Sequence, residues 1–409
     1  MRVLYVSQNG MAENLGQSQV LPYLRGLARR GVELDLVSFE LPTVSPETKE
    51  DIAADLVRCG IRWHSLVRKM GSSLGGKAGE AAKGLALALR TALARRPDIV
   101  HGRSYFATAI CDAVAGIARR PKVLFDCRGM IGDEYVDCGY WTRDRIEYRL
   151  VKKYEHRLLR KSDGIVVLTR SLARWLQEEG GLGAHPRLQV VPCCVDMERF
   201  RPSEDARRRL REELGLGDRF TIVYSGSLGS WYLEAEMARF AAAVRARVEA
   251  IGRRAAFVCL TPSDPTRLQA ALDAAAFPAA DVRVRKVAPK LMPEYLSVGD
   301  LGLSFIQSCF SKMGSSPTKV AEYLACGNVA VVNGDIGDQS DLAREMRGCV
   351  VLDGFSDTQI HDAARQAVEL GLRRRDERVN ATVDVARRHF GLEEVGVARY
   401  EELYGALVG

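Results

Sequence analysis

The sequence predicts a doubly wound α/β protein built as two similar domains in tandem. Three observations lead there: short apolar runs alternating with longer helix-patterned stretches, a charged, proline-containing interruption near the middle, and a restart of the same alternation beyond it. At 409 residues the chain exceeds one ordinary core, and two domains of about 200 residues each is the natural partition. Strand-then-helix alternation encodes parallel strands joined by crossover helices.

In the first half the strand-like runs are VLYVS (3–7), VELDLVSF (32–39), IRWHSL (61–66), DIVHG (98–102), KVLFD (122–126), GIVVLT (164–169) and LQVVP (188–192). Helical patterns lie between them at 19–30, 79–96, 106–119 and 145–161. Residues 195–217 are charged and read as a linker followed by a first helix. Strands then resume at FTIVYSG (220–226), AAFVCL (255–260), VRVRKV (282–287), DLGLSFI (300–306), NVAVVN (328–333) and CVVLD (349–353). Helices fit 233–251, 265–275, 317–326, 338–347 and 357–370. The expected domains are 1–195 and 196–392. Residues 393–409 carry apolar positions at near-helical spacing and form a terminal amphipathic helix free to pack back toward the first domain.

Composition narrows the function. Apolar residues make up 47% and charged residues 27%, the balance of a soluble globular chain. No run approaches the length of a membrane span, and MRVLYVSQNG reads as a buried first strand rather than a secretory signal. Ten cysteines are scattered without a CxxC pair, and the histidines form no HxxxH or HExxH pattern. A reduced, cytoplasmic protein without a metal site is expected. Residues 1–200 hold 31 basic against 23 acidic residues, leaving the remainder near neutral. A moderately basic first half suits an anionic partner or an anionic membrane surface. It has no Lys/Arg run interleaved with aromatics, so no nucleic-acid partner is expected.

Ligands of open parallel sheets sit beyond the carboxyl ends of the strands, and between two such domains the cleft is the default site. The polar residues at strand ends are therefore the candidates. After the first strand, Gly10 and Gly16 bracket a flexible loop before Gln17, Ser18 and Gln19 open a helix. The loop is not GxGxxG, and no acidic residue ends the second strand where a dinucleotide ribose would want one, Phe39-Glu40 being the nearest. Arg103, Asp126 and Arg128 stand at the ends of the fourth and fifth strands, where charge means pairing or ligand binding. The plainer alternative is an Asp–Arg ion pair bracing the loop. His101 is expected to make a core hydrogen bond.

In the second half, Gly226 and Gly229 flank Ser227 in a loop whose amides could cradle phosphate. The segment SSPTKVAEYLACG (315–327) reads as a helix start with Ser315 or Ser316 as the cap and Pro317 in the first turn. That leaves the amides of Thr318 and Lys319 facing an anion, with Glu322 one turn on, placed to accept two ribose hydroxyls. The alternative is an i, i+3 ion pair on a solvated helix.

With these residues the chain resembles the GT-B glycosyltransferases, specifically the retaining, nucleotide-sugar-dependent family 4. The resemblance runs through the loop at Gly16, PDIVHGRS, FDCRG, DGIVVLT, VVPCCVDMERFRP, VYSGSLG, SSPTKVAEYLACG and ARYEELYGAL. It implies two facing Rossmann-like domains, the first binding the acceptor and the second the nucleotide sugar. Glu322 would be the second glutamate of the family's E-x7-E motif, Val287 and Ala288 would meet the base, and Gly16 would lie against the diphosphate. Two departures stand out. The motif's first glutamate falls at Gly314, so the contact with the sugar hydroxyls must come from backbone amides or from elsewhere. The usual arginine and lysine after the second domain's first strand are replaced in the neighbourhood of Ser227, Trp231 and Tyr232, leaving the diphosphate to Lys319, Lys312 and Arg128 or Arg103.

The expected reaction moves a sugar from a UDP- or GDP-sugar to a hydroxyl of a saccharide, lipid-linked or secondary-metabolite acceptor, without metal or further cofactor. Asp126, Arg128, Lys319 and Glu322 are the expected catalytic set. An epimerase or hydrolase on the same fold, or an inactive partner protein, is the rival. The lysines and apolar residues of 69–90 read first as a helix that covers the sheet with a solvated basic edge, the alternative being peripheral contact with the inner face of an anionic membrane.

Overall fold

The computed structural model describes residues 1–68, 74–119, 121–345 and 348–409. Lys69 to Ser73, at the start of the 69–90 segment, lie outside the described residues. The chain divides into two compact units, Met1–Pro192 with Leu392–Gly409, and Cys193–Gly391.

The first unit holds seven strands: β1 (Arg2–Ser7), β2 (Glu33–Glu40), β3 (Arg62–Val67), β4 (Ile99–Arg103), β5 (Lys122–Asp126), β6 (Gly164–Val167) and β7 (Leu188–Val190). They form one sheet in the order β3-β2-β1-β4-β5-β6-β7, with every pairing parallel. Central strands are buried on both faces, whereas the edges β3 and β7 are only half-buried. That is the pattern of a parallel sheet covered by helices on both sides. Strand order reverses between β1 and β4, which opens a crevice at their carboxyl ends.

The second unit repeats the plan with β8 (Phe220–Ser225), β9 (Ala255–Leu260), β10 (Val282–Arg285), β11 (Leu301–Ser304), β12 (Val329–Asn333) and β13 (Cys349–Leu352). Its order is β10-β9-β8-β11-β12-β13, again all parallel, with the reversal between β8 and β11.

All thirteen strands fall where the apolar runs placed them, but several connections differ. The expected loop around Gly16 is already a short helix, Asn14–Gln19, followed by Leu21–Arg29. Of the linker and first helix expected at 195–217, the helix is found at Glu204–Glu213, but the stretch is packed rather than a free linker: Phe200, Leu210, Leu214 and Leu216 are buried in a core of the second unit. Helices at Pro46–Arg58 and Arg375–Phe390 were not foreseen. The first has Ser45 accepting from the Thr48 amide and Pro46 in its first turn. The second is largely polar, which hides its period. At the chain's end, Ala398–Val408 follows a π-helical stretch, Leu392–Val397. Gly26 admits that stretch, since a Cβ there would stand 2.4 Å from a Val397 methyl. The terminal helix is further held where Tyr404 Oη meets His101 Nδ1 at 2.7 Å.

Candidate functional site at the strand reversal of the second unit

The helix Thr318–Ala325 starts beside the reversal point because Tyr323 locks it there. The Tyr323 hydroxyl accepts from the Ser225 amide at 2.8 Å and donates to the Leu303 carbonyl at 3.1 Å, joining the helix to the ends of β8 and β11. Its ring lies so close to β11 that a Cβ at Gly302 would stand 2.3 Å from it. Asn333, ending β12, fixes the segment that follows β11. Its Nδ2 donates to the Ile306 carbonyl at 2.9 Å and its Oδ1 accepts from the Ile306 amide at 2.8 Å. The Gln307 amide donates to the Trp231 carbonyl at 2.7 Å, so the loops after β8 and β11 are held together.

Onto this frame the sequence places two lysines against aromatic faces. Lys319 is 6% exposed, with Nζ 3.8 Å from the Tyr232 ring centre, 4.3 Å from that of Tyr224, and donating to the Tyr224 hydroxyl at 3.2 Å. Lys312 Nζ stands 3.6 Å over the Trp231 ring. Among the described residues no carboxylate lies within 4.0 Å of the Lys319 amine, so the expected ion-pair alternative with Glu322 is not formed. Burial pushes the Lys319 amine down to about 7, with Glu322 pulling the other way. The half-buried Glu322 carboxyl is pushed up to about 7 by loss of water, against the fields of Arg199 and Lys319. A cation and an acid thus share one short helix without neutralising each other by contact.

Gly226 makes room for the amine: its φ is 123°, and a Cβ there would stand 3.1 Å from Lys319 Nζ. The rest of that loop departs from expectation. The amides of Gly226, Leu228 and Gly229 are already engaged by the Leu260 carbonyl, Ser263 Oγ and Glu234 Oε1. They do not form a free phosphate cradle, and Ser227 is exposed with its carbonyl accepting from Tyr224 Oη. The helix start also differs. Pro317 precedes the first helical residue, and no side chain caps it. Ser316 Oγ accepts instead from the Cys193 amide at 3.1 Å, and the Ser315 amide donates to the Lys312 carbonyl. The amide end at Thr318 is consequently free of a side-chain cap, as an anion site requires. Gly314 is buried at the end of a 3-10 turn, Phe310–Gly314.

Val287 packs on the cluster that contains Tyr323, and Ala288 beside it is exposed. Arg199 Nη2 donates to the Pro289 carbonyl at 2.5 Å while its charge acts on Glu322. Sequence reasoning passed over Arg199, which sits in the quoted VDMERF run, and over the Tyr224 ring inside its strand.

In the first unit, Asp126 ends β5 with no exposed surface. Arg103 and Arg128 each reach it at 3.4 Å, and His101 Nε2 lies at 3.6 Å. Burial alone would raise its carboxyl, but Arg128, His101 and Arg103 together hold it well below the usual carboxylate range. His101 is buried against Tyr5, whose ring centre is 4.3 Å away, and burial lowers its pKa. Gly16 is enclosed too: a Cβ there would stand 2.2 Å from the Gly10 carbonyl oxygen. Glu40 is fully buried and accepts from the amides of Met11, at 2.7 Å, and Ala12, at 3.2 Å. Its carboxylate shapes the loop after β1 and is spent there, so it is not a ribose acceptor.

Among the described residues no group of three His, Cys, Asp or Glu side chains is arranged to hold a metal ion. Residues 16–194 match the model of the glycosyl transferase 4-like domain. A sequence comparison with curated proteins gives no match. Among solved structures, Anabaena HepE in complex with UDP and glucose is similar, with a TM-score of 0.69 at 13% identity over 99% of this chain and 100% of that one. A glycosyltransferase from Rickettsia africae gives 0.72 at 12% over 100% and 98%. Sucrose-phosphate synthase from Thermosynechococcus elongatus gives 0.68 at 13% over 99% of each chain. The protein therefore has the GT-B fold, and its residues 16–194 are similar to the glycosyl transferase 4-like domain.

Proposed function

We propose that the protein is a retaining glycosyltransferase that uses a nucleoside-diphosphate sugar as donor and a hydroxyl compound as acceptor. The observation that carries this reading is the pairing of Lys319 and Glu322 on one helix start at the strand reversal of the second unit, with Lys312 nearby in sequence on its own aromatic platform. A diphosphate needs cations and uncapped amides, while a ribose needs an acceptor for two hydroxyls; this helix offers both. The HepE structures with UDP and with UDP-glucose support a uridine nucleotide as the first donor to try.

In the proposed reaction the bond from the anomeric carbon to the diphosphate oxygen breaks. The acceptor oxygen bonds to the same face, and its proton passes to the departing phosphate. Lys319, Lys312 and the amides at Thr318 stabilise the charge that develops on that phosphate. Glu322 holds the ribose, the backbone at Val287 and Ala288 meets the base, and the turn at Gly314 and Ser315 faces the sugar. Asp126 orients Arg128 and Arg103 in the acceptor-binding unit, and Gly16 keeps the loop after β1 close-packed. Peripheral contact of the first unit with an anionic membrane would suit a lipid-linked acceptor.

A panel of UDP- and GDP-sugars, scored for nucleoside diphosphate release with and without acceptors, tests the reaction, and NMR of the product reads the anomeric configuration. Lys319→Ala and Glu322→Ala are each expected to weaken nucleotide binding roughly ten- to a hundredfold, the range for charge-assisted hydrogen bonds. Unchanged affinity in both variants by calorimetry would overturn the site.

A further inference from the structure

In the second unit, the loop that leads from β12 into the short helix Gln339–Glu345 is bound to the segment after β11 at both of its ends. Near the strand, Asn333 Nδ2 donates to Ser308 Oγ at 3.3 Å, and Ser308 Oγ donates to the Gly334 carbonyl at 3.2 Å. Near the helix, the Gly337 amide donates to the Lys312 carbonyl at 2.9 Å. That same oxygen accepts from the Ser315 amide at 3.0 Å, so the loop and the turn Phe310–Gly314 meet on one atom. Asp335 and Gly337 take the left-handed conformation, with φ of 61° and 50°, which folds the chain back sharply there. Gln339 follows two residues after the shared contact, a span of at most about 7 Å. Its side chain is therefore held beside the turn that Gly314 ends without any side chain of its own.

Gln339 is 8% exposed, and among the described residues neither its Oε1 nor its Nε2 has a hydrogen-bond partner. Its neighbours differ. Asn333 uses both ends of its amide on Ile306, and the buried Asn328 still donates through Nδ2 to the Leu296 carbonyl at 2.9 Å. A buried amide bonded at neither end has given up water for nothing, which destabilises the free protein until an outside group completes it. The chemistry of that group follows from the amide, which needs a donor for Oε1 and an acceptor for Nε2. Diphosphate oxygens only accept, whereas a sugar hydroxyl does both. We propose that Gln339 binds a hydroxyl of the transferred sugar and is a specificity-determining residue of the donor site. The inference rests on the reading that the second unit binds a nucleoside-diphosphate sugar, and adds the side chain that recognises the sugar.

Calorimetry tests it by comparing UDP with UDP-glucose and GDP with GDP-mannose. The pair that the wild type prefers is then extended with analogues lacking one sugar hydroxyl each. Gln339→Leu and Gln339→Ala are each expected to weaken the nucleotide sugar about tenfold and to leave the bare nucleoside diphosphate unchanged. One deoxy analogue should bind the wild type about tenfold more weakly and lose nothing further in Gln339→Leu. A readout without ligand accompanies these. Gln339→Leu keeps the bulk and removes the unpaired amide, so its urea midpoint should rise, whereas an amide already completed by ordered water or protein would make that variant less stable. A less stable Gln339→Leu, wild-type affinity in both variants, or equal weakening of the diphosphate and its sugar would overturn the role of Gln339 alone. A wild type that binds none of the four compounds would overturn the donor reading and this inference with it.

Discussion

The Lys319 amine lies over the Tyr232 ring at 3.8 Å, so a buried cation is held by an aromatic face where a carboxylate would be usual. A cation–π contact offers ~0.5–2 kcal/mol, whereas lowering a lysine from 10.5 to about 7 reflects a burial cost of ~5 kcal/mol. Burial wins, and the amine is left short of counter-charge. An incoming diphosphate supplies it.

Nucleotide binding should therefore move protons, in opposite directions at the two residues. Diphosphate favours the charged Lys319 and takes up a proton near pH 7; ribose hydroxyls favour the charged Glu322 and release one. In the wild type these partly cancel. Calorimetry in buffers of different ionisation enthalpy should show net uptake in Glu322→Gln and net release in Lys319→Ala. Affinity of the Glu322→Gln variant should fall as pH rises through 7, since Lys319 then loses its charge before the ligand arrives. A flat profile would mean Lys319 does not meet the phosphate.

Tyr323→Phe removes the hydroxyl shared by the Ser225 amide and the Leu303 carbonyl. Leaving buried backbone groups unpaired costs ~1–3 kcal/mol, and denaturant unfolding should register that loss. Because Tyr323 also sets where the helix begins, nucleotide affinity should drop in the same variant although no ligand contact was removed.

A test of pure stability lies at Asp300, where Arg207 and Arg378 each approach at 2.9 Å and the Thr221 amide donates at 2.8 Å. Asp300→Ala strands two guanidinium groups and should cost ~3–5 kcal/mol in urea unfolding. Despite its burial, the arginines hold the Asp300 carboxyl below its ordinary range. Its contribution is therefore complete above the unfolded carboxyl's pKa of ~3.9 and is lost as pH falls toward the lower folded value. Asp300→Asn should be less stable at neutral pH and lose less on acidification.

Asp126→Asn takes the charge from between Arg103 and Arg128 while keeping the shape. If those arginines serve the acceptor side, the variant should lower turnover and raise the acceptor KM, with the donor KM unchanged. A change in donor binding alone would reassign them.

Much of the fold was legible because parallel strands buried on both faces leave continuous apolar runs, and all thirteen were visible. Arg375–Phe390 escaped because a helix so rich in charge carries little periodic signal. Around the site, the types of Lys319 and Glu322 stood out within an otherwise apolar helix. Their state did not, because pairing, capping and protonation depend on atoms far away in sequence. Ser316 bonds Cys193 rather than the helix end, the Gly226–Gly229 amides are taken by Leu260, Ser263 and Glu234, and Glu40 serves the loop at Met11.

By itself the sequence determined two doubly wound sheets and a charged helix start at a strand end, since both follow from local apolar period and turn chemistry. Only the tertiary structure decided that Lys319 rests on Tyr224 and Tyr232 without a carboxylate, and that Asp126 is wholly enclosed between two arginines. Such states are set by desolvation and by long-range neighbours, which a linear pattern does not encode.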